Sequence, residues 1–146
     1  MKVESKVVIV DASVVLKWVL PEKEDVVRAL EIKSDFTNRR IQLQVPVHFL
    51  SELMNTLERK FPSFALSFLS LLLLSPIIQC HLSLELATIA GKLMKKYSKI
   101  SFYDGFYHAI AIQKSGVFVT ADEKYYKATK KEGHVLLLKN YSFEKI

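Results

Sequence analysis

Val7-Val8-Ile9-Val10-Asp11-Ala12-Ser13 is the stretch whose reading decides the fold of this chain. Its first four residues are β-branched with no polar alternation, the pattern of a strand buried on both faces of a parallel sheet. An aspartate follows at once, then a small hydroxyl residue, then an apolar helix expected to run to about Leu20 and stop near Pro21. In open parallel sheets ligands gather beyond the carboxyl ends of strands, where the strand order reverses. Asp11 is therefore placed for chemistry as well as for capping the helix after it. Val117-Phe118-Val119-Thr120-Ala121-Asp122 repeats the arrangement. If these two strands are neighbours, both carboxylates face one crevice.

Working outward, a second helix is expected from Glu22 to about Asn38 and a strand from Ile41 to Val45, ended by Pro46. Leu50, Leu53, Met54 and Leu57 make one apolar stripe on a helix from Val47 to Lys60. Pro62 opens a leucine-rich helix, greasy on nearly every side, with Ser63, Ser67 and Ser70 along one narrow face. Such a helix must be covered on more than one side, as a central core helix or as a subunit interface. Ile77 to Leu82 reads as a strand, and Leu84 to Tyr97 and Phe102 to Ser115 as helices, with Gly116 in the usual C-terminal position. A basic helix from Asp122 to Glu132, stopped by Gly133, and a last strand from Val135 to Leu138 complete the chain. Alternating strands and helices predict an α/β class: a three-layer α/β/α domain, a parallel sheet of about five strands and helices on both faces. The 146 residues suit one such domain, 1–146, with no repeat or linker.

Composition narrows the function classes. Half of the residues are hydrophobic and only four are glycine, which excludes a disordered or fibrous chain. The net charge of +6 points toward acidic partners, of which nucleic acid is the commonest. One cysteine, Cys80, allows no intrachain disulfide and reads as a small core hydrophobe. Met1 to Ser5 carries no secretory pattern. Phe64 to Leu74 is shorter than the roughly 20 residues that cross a membrane. A cytoplasmic protein without membrane attachment is expected.

Each candidate acid has an ordinary structural reading. Asp11 and Asp122 are placed to cap helices, Asp104 completes the capping-box spacing of Ser101-Phe102-Tyr103-Asp104, and Glu52 lies opposite an apolar stripe. Together they say more. Val8 to Trp18 with Asp11, Ser51-Glu52-Leu53-Met54-Asn55, Tyr103-Asp104-Gly105-Phe106-Tyr107-His108-Ala109-Ile110-Ala111, and Val119-Thr120-Ala121-Asp122 resemble, in order, the four motifs of the PIN-domain family, specifically its VapC-type toxin members. The third motif is the most specific and the second the least. Gly105 departs from the alanine usual there, at a cost of about 0.5–1 kcal/mol in a helix.

The resemblance implies a metal-dependent endoribonuclease acting on single-stranded RNA, the toxin of a toxin–antitoxin pair, with a VapB-like antitoxin and a homodimeric state as expected partners. The residue types support this independently. Oxygen-only ligands without histidine or cysteine suit Mg²⁺ or Mn²⁺ rather than zinc. Asp11, Asp104 and Asp122 are expected as direct or water-mediated ligands, with Glu52 as a further ligand or as the group that orients the attacking water. Ser13, Asn55 and Thr120 are expected to aim the carboxylates or touch phosphate. Lys124, Lys127 and Lys131 share a predicted helix face and are candidates for RNA phosphates, although a solvated basic face is the commoner meaning. Arg39-Arg40 and Lys95-Lys96 read as solvated, and His108 as a surface or partly buried side chain. Without metal the crowded acids are expected to repel one another and raise at least one pKa.

A phosphotransferase of the haloacid-dehalogenase type also places an aspartate after its first strand. That chemistry needs a second aspartate where this chain has Ser13, and Gly91, Gly105, Gly116 and Gly133 are too scattered to form a phosphate loop. Two other uses of a PIN scaffold stay open at this point: RNA processing without a toxin role, and non-catalytic binding of RNA or protein.

Overall fold

The structure, a computed structural model, describes residues 5–20 and 24–146. The expected helix stop at Pro21 and helix start at Glu22 lie outside the described residues. The elements are β1 (Lys6–Val10), α1 (Ala12–Leu16), α2 (Val26–Thr37), β2 (Ile41–Pro46), α3 (Phe49–Lys60), α4 (Pro62–Leu74), β3 (Ile78–Cys80), α5 (Leu84–Lys96), α6 (Phe102–Gln113), β4 (Val117–Thr120), α7 (Glu123–Thr129) and β5 (Val135–Leu137). All strand pairings are parallel, and the sheet order is β3-β2-β1-β4-β5. Two strands are laid down on one side of β1 and two on the other, so the order reverses between β1 and β4. Those are the strands that end in Asp11 and Asp122.

The β-branched run of β1 pairs Val8 with Val117, Ile9 with Phe118 and Val10 with Val119. Continued by one residue, this register brings Asp11 level with Thr120. Val8, Ile9, Val10, Leu43, Val45, Phe118 and Val119 are all buried, as two-sided coverage demands. Helix α6 packs across β1, β2 and β4, and α5 packs on α6. The expected α/β/α fold with helices on both faces is the one observed. No described helix is long and apolar enough to cross a membrane.

Several local expectations need correction. Helix α1 ends at Leu16, and turns carry the chain to Leu20, where the Trp18 indole donates to the carbonyl of Ala29 at 2.9 Å and ties it to α2. The left-handed residue after α6 is Ser115 (φ 53°), not Gly116. Gly116 serves close approach instead, because a Cβ there would collide with the carbonyl oxygen of Val7 on β1. Helix α7 stops at Thr129, and Lys130–Glu132 tighten into a 3₁₀ turn before Gly133, whose φ is +76°. Because a 3₁₀ turn changes the angular repeat, Lys131 leaves the helix face expected to carry Lys124 and Lys127. Cys80 is only half-buried, its thiol 3.4 Å from Gln44 Oε1. Arg40 and Lys96 are not merely solvated, since each is ion-paired at 2.8 Å, to Asp35 and Glu132.

Helix α4 is covered on one face alone. Ala65, Phe68 and Leu72 are buried, whereas Leu66, Leu71, Leu73 and Leu74 are 58–86% exposed. The central-core reading of this helix is thereby excluded.

His108 reverses its expectation outright. It is fully buried, with Nδ1 2.9 Å from the Tyr125 hydroxyl and Nε2 2.8 Å from the Gly133 carbonyl oxygen. A carbonyl only accepts, so Nε2 carries the proton and Nδ1 accepts from Tyr125. The ring thus locks α6 to α7 and to the turn that follows. Burial lowers its pKa, opposed by the Gly133 bond and by Glu132. His108→Ala should cost about 2–4 kcal/mol, through a cavity and two unpaired buried partners, read as a fall in denaturant midpoint. The sign with pH follows from the lowered pKa. Wild-type stability is complete above the unfolded histidine pKa, about 6.5, and declines as pH falls through it. The variant should lose that decline.

Candidate active site

Four elements deliver the acids. Asp11 follows β1 and caps α1, accepting the Val14 amide at 3.3 Å. Its other partners are the Ser13 hydroxyl on Oδ1 and the Thr120 hydroxyl, which donates to Oδ2 at 2.8 Å. Ser13 and Thr120 therefore hold this carboxylate from both oxygens. Thr120 also accepts the Asp122 amide at 3.1 Å, which joins the two strand ends into one hydrogen-bonded unit. Asp122 caps α7 through Tyr125 N at 3.0 Å. The capping readings of Asp11 and Asp122 are thus correct, and each side chain retains a second carboxylate oxygen beyond its cap.

Asp104 stands in the first turn of α6, where Ser101 Oγ takes its backbone amide at 3.1 Å. The helix start is therefore satisfied by Ser101. Asp104 lines one small cleft together with Asp122. Glu52, in the first turn of α3, accepts from the Tyr107 hydroxyl at 3.3 Å. His48 Nε2 lies 3.3 Å from its other oxygen, off hydrogen-bond alignment, and is buried without another partner.

The electrostatics put the acids in one neighbourhood. Asp11, Glu52 and Asp104 all have raised pKa values, and desolvation is the leading cause in each. Repulsion adds to it: Asp104 acts on Asp11, Asp11 and Asp104 act on Glu52, and Asp122 acts on Asp104. The rise expected from crowding is present, but burial contributes more to it than like charge does. Hydrogen bonds from Ser13, Thr120 and the Val14 amide oppose the shift at Asp11. Among the described residues, the ion pair made by this acid set is the one between Glu52 and His48, and burial lowers the pKa of that histidine. Among the described residues no lysine or arginine is ion-paired with these acids.

Asn55 lies one turn beyond Glu52 on α3, exposed, and makes no hydrogen bond to the acids. Lys124 lines the cleft beside Asp104 and Asp122, whereas Lys127 and Lys131 do not. Two contributors escaped the sequence reading. His48 precedes Glu52 by one helical turn, a spacing that could have flagged it. It is packed edge-on against Tyr103 and Tyr107, with ring centroids 5.4 and 5.2 Å away. Tyr107 reads as one more core aromatic, and nothing local reveals that its hydroxyl reaches Glu52.

Comparison with known proteins identifies the fold and the family. Among curated proteins no sequence matches the chain. Solved structures with the same fold include FitAcB from Neisseria gonorrhoeae, at 17% identity and a TM-score of 0.68, covering 92% of this chain and 99% of that one. DNA-bound VapBC from Salmonella typhimurium matches at 13% identity and 0.67, over 92% and 99%. Mycobacterium tuberculosis VapC20, a toxin that cleaves the sarcin-ricin loop, matches at 17% identity and 0.62, over 83% and 94%. The PIN-domain family model matches residues 8–131. That span includes β1 through α7 and all four acids, and the chain belongs to the PIN-domain family.

Proposed function

We propose that this protein is a metal-dependent endoribonuclease that cleaves single-stranded RNA, acting as the toxin of a VapBC-type pair. The observation that carries the reading is the group of acids near the β1/β4 reversal point, three of them, Asp11, Glu52 and Asp104, partly stripped of water and all paired with no lysine or arginine among the described residues. Such a concentration of negative charge calls for a cation, and its all-oxygen donor set fits Mg²⁺ or Mn²⁺. Among the described residues no three acid, histidine or cysteine groups close around a metal position by themselves. Metal binding is therefore supported by the donor chemistry of the acids and not by a closed ligand cluster. Asp11, Asp104 and Asp122 would hold the ion, directly or through water. When bound, the metal neutralises charge on the phosphodiester and acidifies an attacking water.

The chain's own groups have separable tasks. Ser13 and Thr120 aim Asp11 through the bonds given above. Glu52, held by Tyr107 on one oxygen and beside His48 on the other, orients the attacking water. Asn55 and Lys124, which lines the cleft beside Asp104 and Asp122, are left for the RNA backbone. The test is cleavage of a mixed RNA pool by purified protein in Mg²⁺ or Mn²⁺ and in chelator. Cleavage only with metal supports the reading, and equal cleavage in chelator overturns it.

The toxin assignment is supported by a fold shared with toxin–antitoxin complexes over about 90% of this chain. A cytoplasmic location and a VapB-like antitoxin partner go with it. An RNA-processing enzyme without a toxin role is the second reading, since the same acids serve either. Growth arrest on expression, relieved by the product of a small adjacent upstream gene, separates the two.

The exposed leucines of α4, Leu66, Leu71, Leu73 and Leu74, supply a subunit surface for a homodimer. Phe68 and Leu72 belong to the intramolecular core, so substitutions there test folding. Leu71→Glu with Leu74→Glu should convert a dimer to a monomer in light scattering while preserving the melting temperature. A wild-type monomer at micromolar concentration would exclude this surface as a dimer contact.

A further inference from the structure

Next to the acids a small cleft, about 130 Å³, opens between the 97–101 segment and α7. Asp104, Asp122, Lys99, Lys124 and Tyr125 all line it. A second cleft of about 220 Å³, walled by Lys96, Tyr97 and Lys99, shares Lys99 and Ala128 with the first. The two clefts adjoin at Lys99 and Ala128, the second lying beside Tyr97 and Lys96. The cations along them differ in their engagement. Lys99 and Lys124 are both exposed and make no ion pair among the described residues, whereas Lys96 in the second cleft is held by Glu132 at 2.8 Å. They line the same cleft as Asp104 and Asp122 without bonding to either, so their charge is not spent on the acids.

A cleft this small lies well below the usual size of small-molecule pockets. It brings two carboxylates and these two lysines together in one small space, and the lysines suit an anionic ligand that the carboxylates alone would repel. If the acids held a metal, it would offset their charge toward one phosphate, and the lysines would be free to meet the next. Resting on the nuclease reading above, we infer that Lys99 and Lys124 clamp the RNA phosphate adjacent to the scissile one, and that the strand leaves by the second cleft, beside Tyr97. The clamp sets substrate affinity and register, while the acids carry out the chemistry. Lys127 and Lys131, which line neither cleft, do not share this role.

Binding measured in chelator separates the clamp from cleavage. The probe is a 5′-fluorescein random-sequence single-stranded 12-mer RNA, followed by anisotropy across a salt series. Lys99→Ala with Lys124→Ala should weaken binding on the order of tenfold, and flatten the slope of log Kd against log salt by about 0.7 for each phosphate no longer neutralised. With Mn²⁺ restored, KM for cleavage should rise comparably while kcat changes little. Lys33→Ala, an exposed lysine on α2, should alter neither quantity. Both substitutions are at exposed side chains, and an unchanged melting temperature verifies the fold. Wild type that cuts RNA with Mn²⁺, beside a double variant of unchanged Kd and salt slope, overturns the clamp and leaves the nuclease standing. A double variant that loses kcat at constant KM also overturns it. Wild type that neither binds nor cuts the RNA overturns both.

Discussion

Asp104→Asn should reduce metal-dependent RNA cleavage by about a thousandfold or more while leaving the fold intact, the scale on which removal of a single catalytic or charge-stabilising group is felt. This position is the sharpest test among the four acids because its structural duties are few. Ser101 already satisfies the backbone amide at the start of α6, so removal of the carboxylate charge does not uncap the helix. Asp11, by contrast, accepts from Ser13, Val14 and Thr120, and its substitution disturbs that unit as well as the chemistry. Asp122 carries the α7 cap. The control is Glu58→Gln, an exposed carboxylate further along α3, which should cut RNA at the wild-type rate. Mapping RNA ends after expression of wild type and Asp104→Asn reads the result in cells. If the variant retains full activity, the acids at the β1/β4 reversal are not the catalytic set.

Much of this arrangement was legible in the residues because strand ends have a simple grammar. Val7 to Val10 and Val117 to Val119 could only be buried strands, and an aspartate just past each placed the crevice before any pairing was known. The register then brought Asp11 level with Thr120, and their bond followed. What periodicity could not show was the phase of a helix that is apolar all round. Nothing in the leucine-rich run of α4 distinguishes Phe68 and Leu72, which are buried, from Leu71 and Leu74, which are not. Long-range polar partners were equally hidden. His108 meets a hydroxyl and a carbonyl 17 and 25 residues away, and Tyr107 meets a carboxylate 55 residues away. Such bonds depend on how α6 crosses the sheet, not on any spacing within it. Lys131 falls outside the basic helix because Gly133 lets the chain tighten early, a change of angular repeat that a run of lysines does not announce.

In chelator at pH 7.5, metal-free Asp104→Asn should be more stable than metal-free wild type, and Mn²⁺ or Mg²⁺ should narrow or reverse that order. The reason is the raised pKa of Asp104, caused first by desolvation and then by Asp122, against a lowering contribution from Ser101. For an acid whose folded pKa exceeds its unfolded value, ionisation favours the unfolded chain. Stability therefore falls as pH rises from the unfolded carboxylate pKa, about 4, and the penalty is complete above the raised folded pKa. Asp11 and Glu52 carry the same sign, both chiefly through desolvation. Asparagine at position 104 removes one of these penalties and relieves the repulsion felt by its neighbours. The advantage of the variant should thus be largest at neutral pH and vanish below about pH 4. Metal acts in the opposite direction, because it binds the folded carboxylates and not the unfolded chain. At a hundredfold excess over Kd, wild type gains about 2.7 kcal/mol, and the variant, short of one ligand, gains less. For a protein of this size that corresponds to roughly 6–10 °C in Tm. Thermal melts from pH 4 to 8, with chelator and with each metal, read both effects. Wild type standing above the variant in chelator, with neither melt moved by metal, would mean that these carboxylates serve the helix starts and not a metal ion.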